Sequence, residues 1–257
     1  MHRDLVLLYN MWPTLNNPPV GVALAQIKLN TENFSIQKVD AVDRQLKDIL
    51  PIRKEGTQVN IGLGKSNLPL GVSKISATSD VKIATYIYFS KEQKTKLEIS
   101  GDTITYVSED QYLGWNSFKG NVLEFLSILE RVFGQSEIQR TSIRFINRFS
   151  FPDFDKPEDY INTFISATGE SQSYPLRQYG FRLLMDVPDS DTYSIVNHNV
   201  ERVIDGKFLY TFDIDVLNNQ KLLYSIDSID NNLDSLREIK NNIFFNTLTD
   251  KTLSLCN

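Results

Sequence analysis

The stretch RTSIRFINRFSF, residues 140–151, alternates apolar and polar side chains, which is the pattern of a β-strand. Residues at even offsets along a strand share one side of the sheet. We therefore expect Arg140, Arg144 and Arg148 on one side. The apolar residues of the other side are Ile143, Phe145 and Phe149. The segment predicts a half-buried strand whose polar side carries three guanidinium groups.

A second segment, FLYTFDIDVL at residues 208–217, alternates in the same way. Its polar side carries Asp213 and Asp215, and its other side is apolar throughout. Guanidinium and carboxylate groups form strong, geometrically selective pairs. Three roles are open for these side chains: a structural ion-pair network, a surface that binds an anion or a partner, and a metal site completed by Asp186 or Asp205.

The remaining elements follow from periodicity and from Gly and Pro positions. A hairpin is expected around Gly101-Asp102 within residues 96–108. The other expected strands are 20–29, 57–62, 82–90, 138–149, 176–186, 192–202 and 207–217. The expected helices are 40–50, one that ends at Phe133, Pro157–Ile165 and Asp227–Leu248. The rest of 55–80 is expected to be a mobile excursion.

This element order predicts an α+β fold, with antiparallel sheets and long helices packed on one side. Each half of the chain reads as strand, helix, several strands and a long helix. The halves are 1–135 and 136–257, and we expect one compact unit. No letter-by-letter repeat joins them, so a duplication rests on element order alone.

Composition excludes several classes of protein. The chain has 257 residues, a formal net charge of -5 and one cysteine, Cys256. A single thiol excludes cysteine-based zinc and iron–sulfur sites and favours a reducing, cytoplasmic location. No apolar run approaches the roughly 20 residues of a membrane helix. The negative charge argues against non-specific binding to nucleic acid, which needs a dense cationic surface.

Several segments together resemble a known family. NPPVGVALAQIKL, YLGWNSF before a long helix, IQRTSIRFINRF, FLYTFDIDV and LREIKNNIFFNTLTDKTL occur in order along the chain. They are similar to a sporadically distributed family of bacterial conserved hypothetical proteins of about 250 residues, with an R-x-G-L-R-Y-I-N-R strand, a D-I-D strand and a C-terminal F-x-x-x-I-T-D segment. Ser142 stands where that family usually has glycine. The resemblance implies an uncharacterised accessory protein, of the kind found in phage-defence or toxin–antitoxin neighbourhoods.

Two catalytic patterns fail on inspection. NIGLGKSN, residues 60–67, lacks the first glycine of a phosphate-binding loop, because Val59 occupies that place. No helix is expected after Ser66, so a basic loop is the simpler interpretation. Histidine chemistry would depend on His198, since His2 is the only other histidine. A lone strand histidine is more often a surface or hairpin residue than a catalyst.

The segment YLGWNSF, residues 112–118, places Tyr112, Trp115 and Phe118 just before a helix. Such a cluster either plugs the core or forms a recognition patch.

The leading hypothesis is therefore a non-enzymatic binding or adaptor protein, with no cofactor and no metal. It would recognise a protein or an anionic ligand through Arg140, Arg144, Arg148, Tyr112, Trp115, Asp213 and Asp215. One alternative is a metal-dependent nuclease or phosphotransfer enzyme built on Asp213 and Asp215. Another is a nucleic-acid binder that uses the arginine strand. Apolar surface left on the last helix leaves a homodimer open.

Overall fold

The structure is a computed structural model that describes residues 12–30, 38–65, 75–110, 112–134, 136–154, 156–162, 177–202 and 206–257, with the backbone alone at 57–65 and 75–84. Within these ranges, no helix is both long enough and apolar enough to cross a membrane.

Ten strands form one antiparallel sheet. They are β1 Val20–Leu29, β2 Ile52–Lys65, β3 Ile75–Phe89, β4 Thr95–Ser100, β5 Thr103–Glu109, β6 Glu137–Phe151, β7 Gln178–Asp186, β8 Thr192–Arg202, β9 Phe208–Asn218 and β10 Leu222–Leu223. Their order across the sheet is β2-β3-β4-β5-β1-β6-β9-β8-β7, and β10 pairs with β6. The arginine strand β6 therefore lies near the centre, between β1 and β9.

The described residues contain four α-helices: α1 Val39–Leu46, α2 Trp115–Phe133, α3 Ile226–Thr247 and α4 Asp250–Ser254. Helix α3 begins after Ser225, whose hydroxyl accepts a hydrogen bond from the Ser228 amide as an N-cap. It contacts β6 and β9, α2 contacts α3, and α1 contacts α2. Helix α2 also packs on the sheet, because the rings of its Phe118 and Phe125 both lie 5.4 Å from that of Tyr106 on β5.

The predicted fold class is wrong. An α+β arrangement of several sheets with long helices as a second layer was expected, whereas one large antiparallel sheet dominates the described chain and two of its four helices have eight residues or fewer. The reason lies in segment 55–80, which was expected to be a mobile excursion around one short strand at 57–62. Its residues 55–65 and 75–80 instead belong to the long strands β2 and β3. The division into halves 1–135 and 136–257 stays a prediction.

Some of the predicted strands and helices are confirmed and others are wrong. The strand at 20–29, the 100–103 hairpin and the helix that ends at Phe133 are confirmed. The helix expected from Pro157 is wrong within the described residues, because only a 3-10 turn spans Pro157–Asp159 and Ile161 then bridges to Leu248. Residues 163–165 of that prediction lie outside the described residues. Residues 60–65 of the glycine-rich segment are strand rather than a basic loop.

The core confirms the predicted sides of β6 and β9. Ile143, Phe145, Phe212 and Ile214 have no accessible surface. Phe212 lies 6.0 Å from Phe244 of α3 between ring centroids, so this side of the sheet faces the helix. Each such aromatic side chain contributes on the order of 1.5–3 kcal/mol through burial of apolar area. Because the apolar side of β6 faces α3, the three arginines of β6 lie on the opposite side of the sheet.

The turn of the β4–β5 hairpin requires a left-handed backbone conformation at Gly101, and a substitution there tests this requirement. Gly101 has φ +56° and an added Cβ would meet nothing within 4 Å, so Gly101→Ala adds only the backbone cost of left-handed geometry. We expect the free energy of unfolding to fall by about 1–2 kcal/mol in urea titrations. Gly120, inside α2, is the matched control because its surroundings are also open. Gly120→Ala should stabilise by about 0.5–1 kcal/mol. Equal effects at both sites would contradict this account.

Candidate functional site

The polar side of the sheet centres on a bidentate ion pair. Arg144 Nε donates to Asp213 Oδ1 at 2.8 Å, and Nη2 donates to Oδ2 at 2.7 Å. Asn197 of β8 adds a hydrogen bond from Nδ2 to Asp213 Oδ2 at 3.0 Å. The Asp213 side chain is 9% exposed and that of Arg144 is 40% exposed. The carboxylate is thus held by partners on the strands to either side of β9.

The second aspartate has no such partner. Asp215 lies directly opposite Arg144 in the β6–β9 register, yet the guanidinium bonds Asp213 instead. Among the described residues, Asp215 Oδ1 is buried without a hydrogen-bond partner. Burial raises the pKa of Asp215 to about 6, against the opposing influence of the Arg144 charge. The carboxyl group is therefore partly protonated near neutral pH.

The other two arginines bind different groups. Arg140 Nη2 donates to Gln26 Oε1 of β1 at 2.6 Å, while its Nε is buried and has no hydrogen-bond partner in the described part of the chain. Arg148 Nη1 lies 3.5 Å from Asp110 Oδ1 in an exposed pair. An ion pair with an aspartate of the neighbouring strand is therefore present at Arg144. Arg140 instead binds the side-chain amide of Gln26.

A metal site on these aspartates finds little support in the geometry. Both oxygens of Asp213 are already bound by Arg144. Within the described ranges, no group of three or more His, Cys, Asp or Glu side chains is placed to hold a metal ion. Asp205, one of the candidate third ligands, lies outside those ranges.

The aromatic residues lie on the other side of the sheet. The Trp115 ring lies 6.5 Å from that of Phe145, and Tyr112 meets Phe145 edge-on at 5.5 Å. Trp115 Nε1 donates to Asp234 Oδ1 of α3 at 2.7 Å. Because Phe145 is on the apolar side of β6, Tyr112 and Trp115 are separated from the arginines by the sheet. The predicted site residues therefore do not form one surface.

A pocket opens next to these aromatic residues. It lies between the start of α2, the C-terminal half of α3 and the segment that leads into β1, and it has a volume of about 160 Å³. Its walls include Trp12, Tyr112, Trp115, Phe244 and Phe245. The polar residues on its lining include Thr14, Asn147, Arg237, Lys240 and Asn241.

Lys240 is the unusual group in this pocket. Its Nζ lies 4.5 Å from the ring centroid of Phe145 and 5.8 Å from that of Phe244. Within the described part of the chain, it makes neither a hydrogen bond nor an ion pair. The ammonium group is densely surrounded by protein, while part of the residue's surface stays accessible, as expected for a group that lines a pocket. Burial, reinforced by the Arg237 charge, lowers the pKa of Lys240 to about 7.

Arg237 lies one turn before Lys240 and faces the same pocket. Its guanidinium carbon is 5.6 Å from the ring centroid of Trp115. Its one ion pair in the described ranges, with the neighbouring Glu238, is long at 3.8 Å, and Glu238 also accepts a hydrogen bond from Trp12 Nε1. Two cations thus share one helix face of the pocket.

The start of α2 adds to this positive character. The helix has 19 residues, its N-cap is Gly114, and neither a side-chain cap nor an acidic residue is present in its first turn. Both Gly114 and Trp115 line the pocket. A helix N-terminus carries partial positive charge from its free amide groups.

Sequence reasoning missed Lys240 and Arg237, although a signal was present. The buried stripe of α3 runs through Leu233, Leu236 and Phe244. Lys240 falls midway between Leu236 and Phe244, at the four-residue spacing of that stripe. A lysine at a core position is rare unless it is paired, so this position could have been singled out.

His198 is a core residue. It is buried, its Nδ1 lies 2.8 Å from the Tyr210 hydroxyl, and its ring stacks on Phe181 at 4.3 Å. Burial lowers its pKa to about 4, so the ring is neutral at physiological pH. The simpler interpretation of a surface or hairpin histidine is therefore wrong.

No protein-family profile matches the chain, and a search of curated proteins gives no significant match either. The resemblance to a bacterial conserved hypothetical family stays a prediction. The same holds for the accessory or phage-defence role that it implies.

Proposed function

We propose that the protein is a binding protein for a small anionic ligand, which it holds in the pocket beside Lys240. The observation that carries this proposal is the pair of cations on one face of α3, Arg237 and Lys240, of which Lys240 has no acidic partner in the described ranges. Placing like charges together in a buried position costs free energy. A ligand that brings the missing negative charge removes that cost.

The shape of the pocket limits the ligand. A volume of about 160 Å³ resembles that of an apolar cavity of about 150 Å³ that accommodates benzene. Aromatic rings supply flat apolar walls, and among them the rings of Trp12 and Phe245 stack with their centroids 5.2 Å apart. These features favour a small organic anion, such as a carboxylate on a short chain or a single ring, over a polymer.

The two rival functions have less support. The metal-dependent enzyme requires free carboxylates, and Asp213 is bound to Arg144 and Asn197. The nucleic-acid binder requires unpaired cations on the arginine face. Arg144 is already bound to Asp213 there, and Arg148 lies near Asp110.

Intrinsic fluorescence offers a direct test. The chain has two tryptophans, Trp12 and Trp115, and both line the pocket. Benzoate or inorganic phosphate should change the emission in a saturable way, and Lys240→Met should weaken binding at least about tenfold, equivalent to about 1.4 kcal/mol. Calorimetry on the same samples gives an independent affinity.

Lys251→Met is the matched control. Lys251 also lies over an aromatic ring, that of Tyr160 at 4.1 Å, but it is outside the pocket and paired with Asp159. Its replacement should leave binding unchanged. Saturable binding by neither probe, or equal losses in both variants, would overturn the proposed function.

A further inference from the structure

We propose that Lys240 is a reactive amine, and that the ligand it captures is a small 2-oxo acid held as a reversible imine on Nζ. This inference rests on the proposed function, because the same pocket and the same cations bind the ligand's carboxylate.

The surroundings of Lys240 differ from those of its neighbours. Lys119, on α2, is held by Asp230 at 2.7 Å and Asp234 at 2.8 Å, so its amine is fixed as an ammonium ion. Lys240 has the ring faces of Phe145 and Phe244 beside it instead. An amine that is bound to no carboxylate keeps its nitrogen free for reaction once its proton is lost.

The charges around the pocket favour loss of that proton. Burial acts first and the Arg237 cation second, and together they bring the pKa of Lys240 to about 7 against the opposing charge of Glu238. Tyr112, also on the lining, contributes no charge because burial raises its pKa to about 12. Desolvation combined with a neighbouring cation is a known way to activate lysine towards carbonyl compounds.

The spacing of the two cations selects a 2-oxo acid among carbonyl compounds. Arg237 and Lys240 are three residues apart on α3, which places them on the same helix face. A carboxylate bound to the Arg237 guanidinium would leave an adjacent carbonyl carbon near Nζ. An aldehyde without a carboxylate would gain nothing from Arg237.

The reaction balances without a further reactant. The neutral Nζ attacks the carbonyl carbon with its lone pair, and one of the two protons on Nζ moves to the carbonyl oxygen. The resulting carbinolamine loses the hydroxyl group with a proton from nitrogen as water, and a C=N bond forms. Neither partner is oxidised or reduced, and hydrolysis returns both.

Borohydride trapping tests the inference on the full chain. Pyruvate is the probe, incubated at pH 7.5 and then treated with sodium borohydride, which converts an imine to a stable secondary amine. Peptide mass spectrometry should place at least tenfold more adduct on Lys240 than on Lys251. Lys240→Arg should lose the adduct, and Lys251→Met should keep it.

Unmodified protein supplies a second arm that does not depend on a variant's folding. Benzoate cannot form an imine, and when present in excess it should reduce trapping of pyruvate at Lys240 by competing for the pocket. Adducts spread over the exposed lysines, or trapping that benzoate does not affect, would contradict the inference. If benzoate binds by tryptophan fluorescence while pyruvate leaves no adduct, imine formation fails and the anion site stands. If pyruvate leaves no adduct and neither benzoate nor phosphate binds, both proposals fail.

Discussion

Replacing Arg144 with alanine is expected to lower the free energy of unfolding by about 2–4 kcal/mol, which is somewhat less than the roughly 3–5 kcal/mol that breaking a fully buried pair costs. Asp213 is the reason. Its side chain is 9% exposed, and of the described residues that bind its carboxylate, the Asn197 amide alone would remain without Arg144. The 40% exposure of Arg144 moderates the effect, because water reaches the site and screens the charge. Urea denaturation of wild type and variant measures the difference.

The neighbouring arginine on the same strand is the control. Arg148 and Asp110 are 3.5 Å apart, and their side chains are 58% and 68% exposed. Exposed pairs are worth about 0–1 kcal/mol, so Arg148→Ala should change stability by no more than that. Adding Asp213→Asn to Arg144→Ala should recover part of the loss, since it removes the buried charge. A loss at Arg148 as large as that at Arg144 would show that strand propensity, and not the ion pair, sets the effect.

The side of the sheet on which Arg144 and its neighbours lie could be predicted from the sequence. It depends only on the alternation of apolar and polar residues, which each strand shows by itself. The alternation in β6 and β9 assigned Phe145 and Phe212 to the core side and Arg144 and Asp213 to the other, as the structure has them. Which aspartate pairs with Arg144 could not be predicted in the same way. The residue directly opposite Arg144 is Asp215, and the choice of Asp213 depends on side-chain reach across the sheet and on Asn197 from a third strand.

The predicted fold was wrong where pairing between distant segments overrides the local secondary-structure preference of the chain. Glycines and asparagine in 55–65 indicate a loop when the segment is taken alone, but pairing with β3 along its whole length makes it a strand. Pro157 suits the start of a helix, yet Tyr160 stacks on Phe151 at 4.2 Å and Ile161 bridges to Leu248. Those contacts hold the chain extended after one 3-10 turn.

The candidate site was the part of the molecule that the sequence predicted least well. Tyr112 and Trp115 were identified, but as members of one surface with the arginines, because composition does not reveal which face of a sheet a connecting segment crosses. Lys240 and Arg237 belong to a helix whose apolar stripe was predicted. The importance of Lys240 depends on the absence, among the described residues, of a carboxylate bound to its amine, which only the packed structure shows.

Lys240 should also leave a signature in stability. Its pKa is about 7 in the folded protein, against about 10.4 for an unperturbed lysine. Between these values the unfolded chain holds a proton that the folded protein has lost, so stability rises with pH. Below pH 7 both states are protonated and the folded protein carries the full cost of a buried charge. Lys240→Met removes that cost, so the variant should be more stable than wild type at pH 6 by about 2–4 kcal/mol.

The difference between variant and wild type should shrink as pH rises from 7 to 9.5, with a slope approaching about 1.4 kcal/mol per pH unit. Asp215 does not interfere, because burial raises its pKa only to about 6, below this window. Buried tyrosines such as Tyr112 titrate above it. Urea denaturation at pH 6, 7.5 and 9.5 measures the slope, and Lys251→Met should run parallel to wild type because Lys251 is exposed and paired with Asp159. If Lys240→Met also runs parallel to wild type, the Lys240 amine is solvated like a surface lysine, and the cation pocket loses its physical basis.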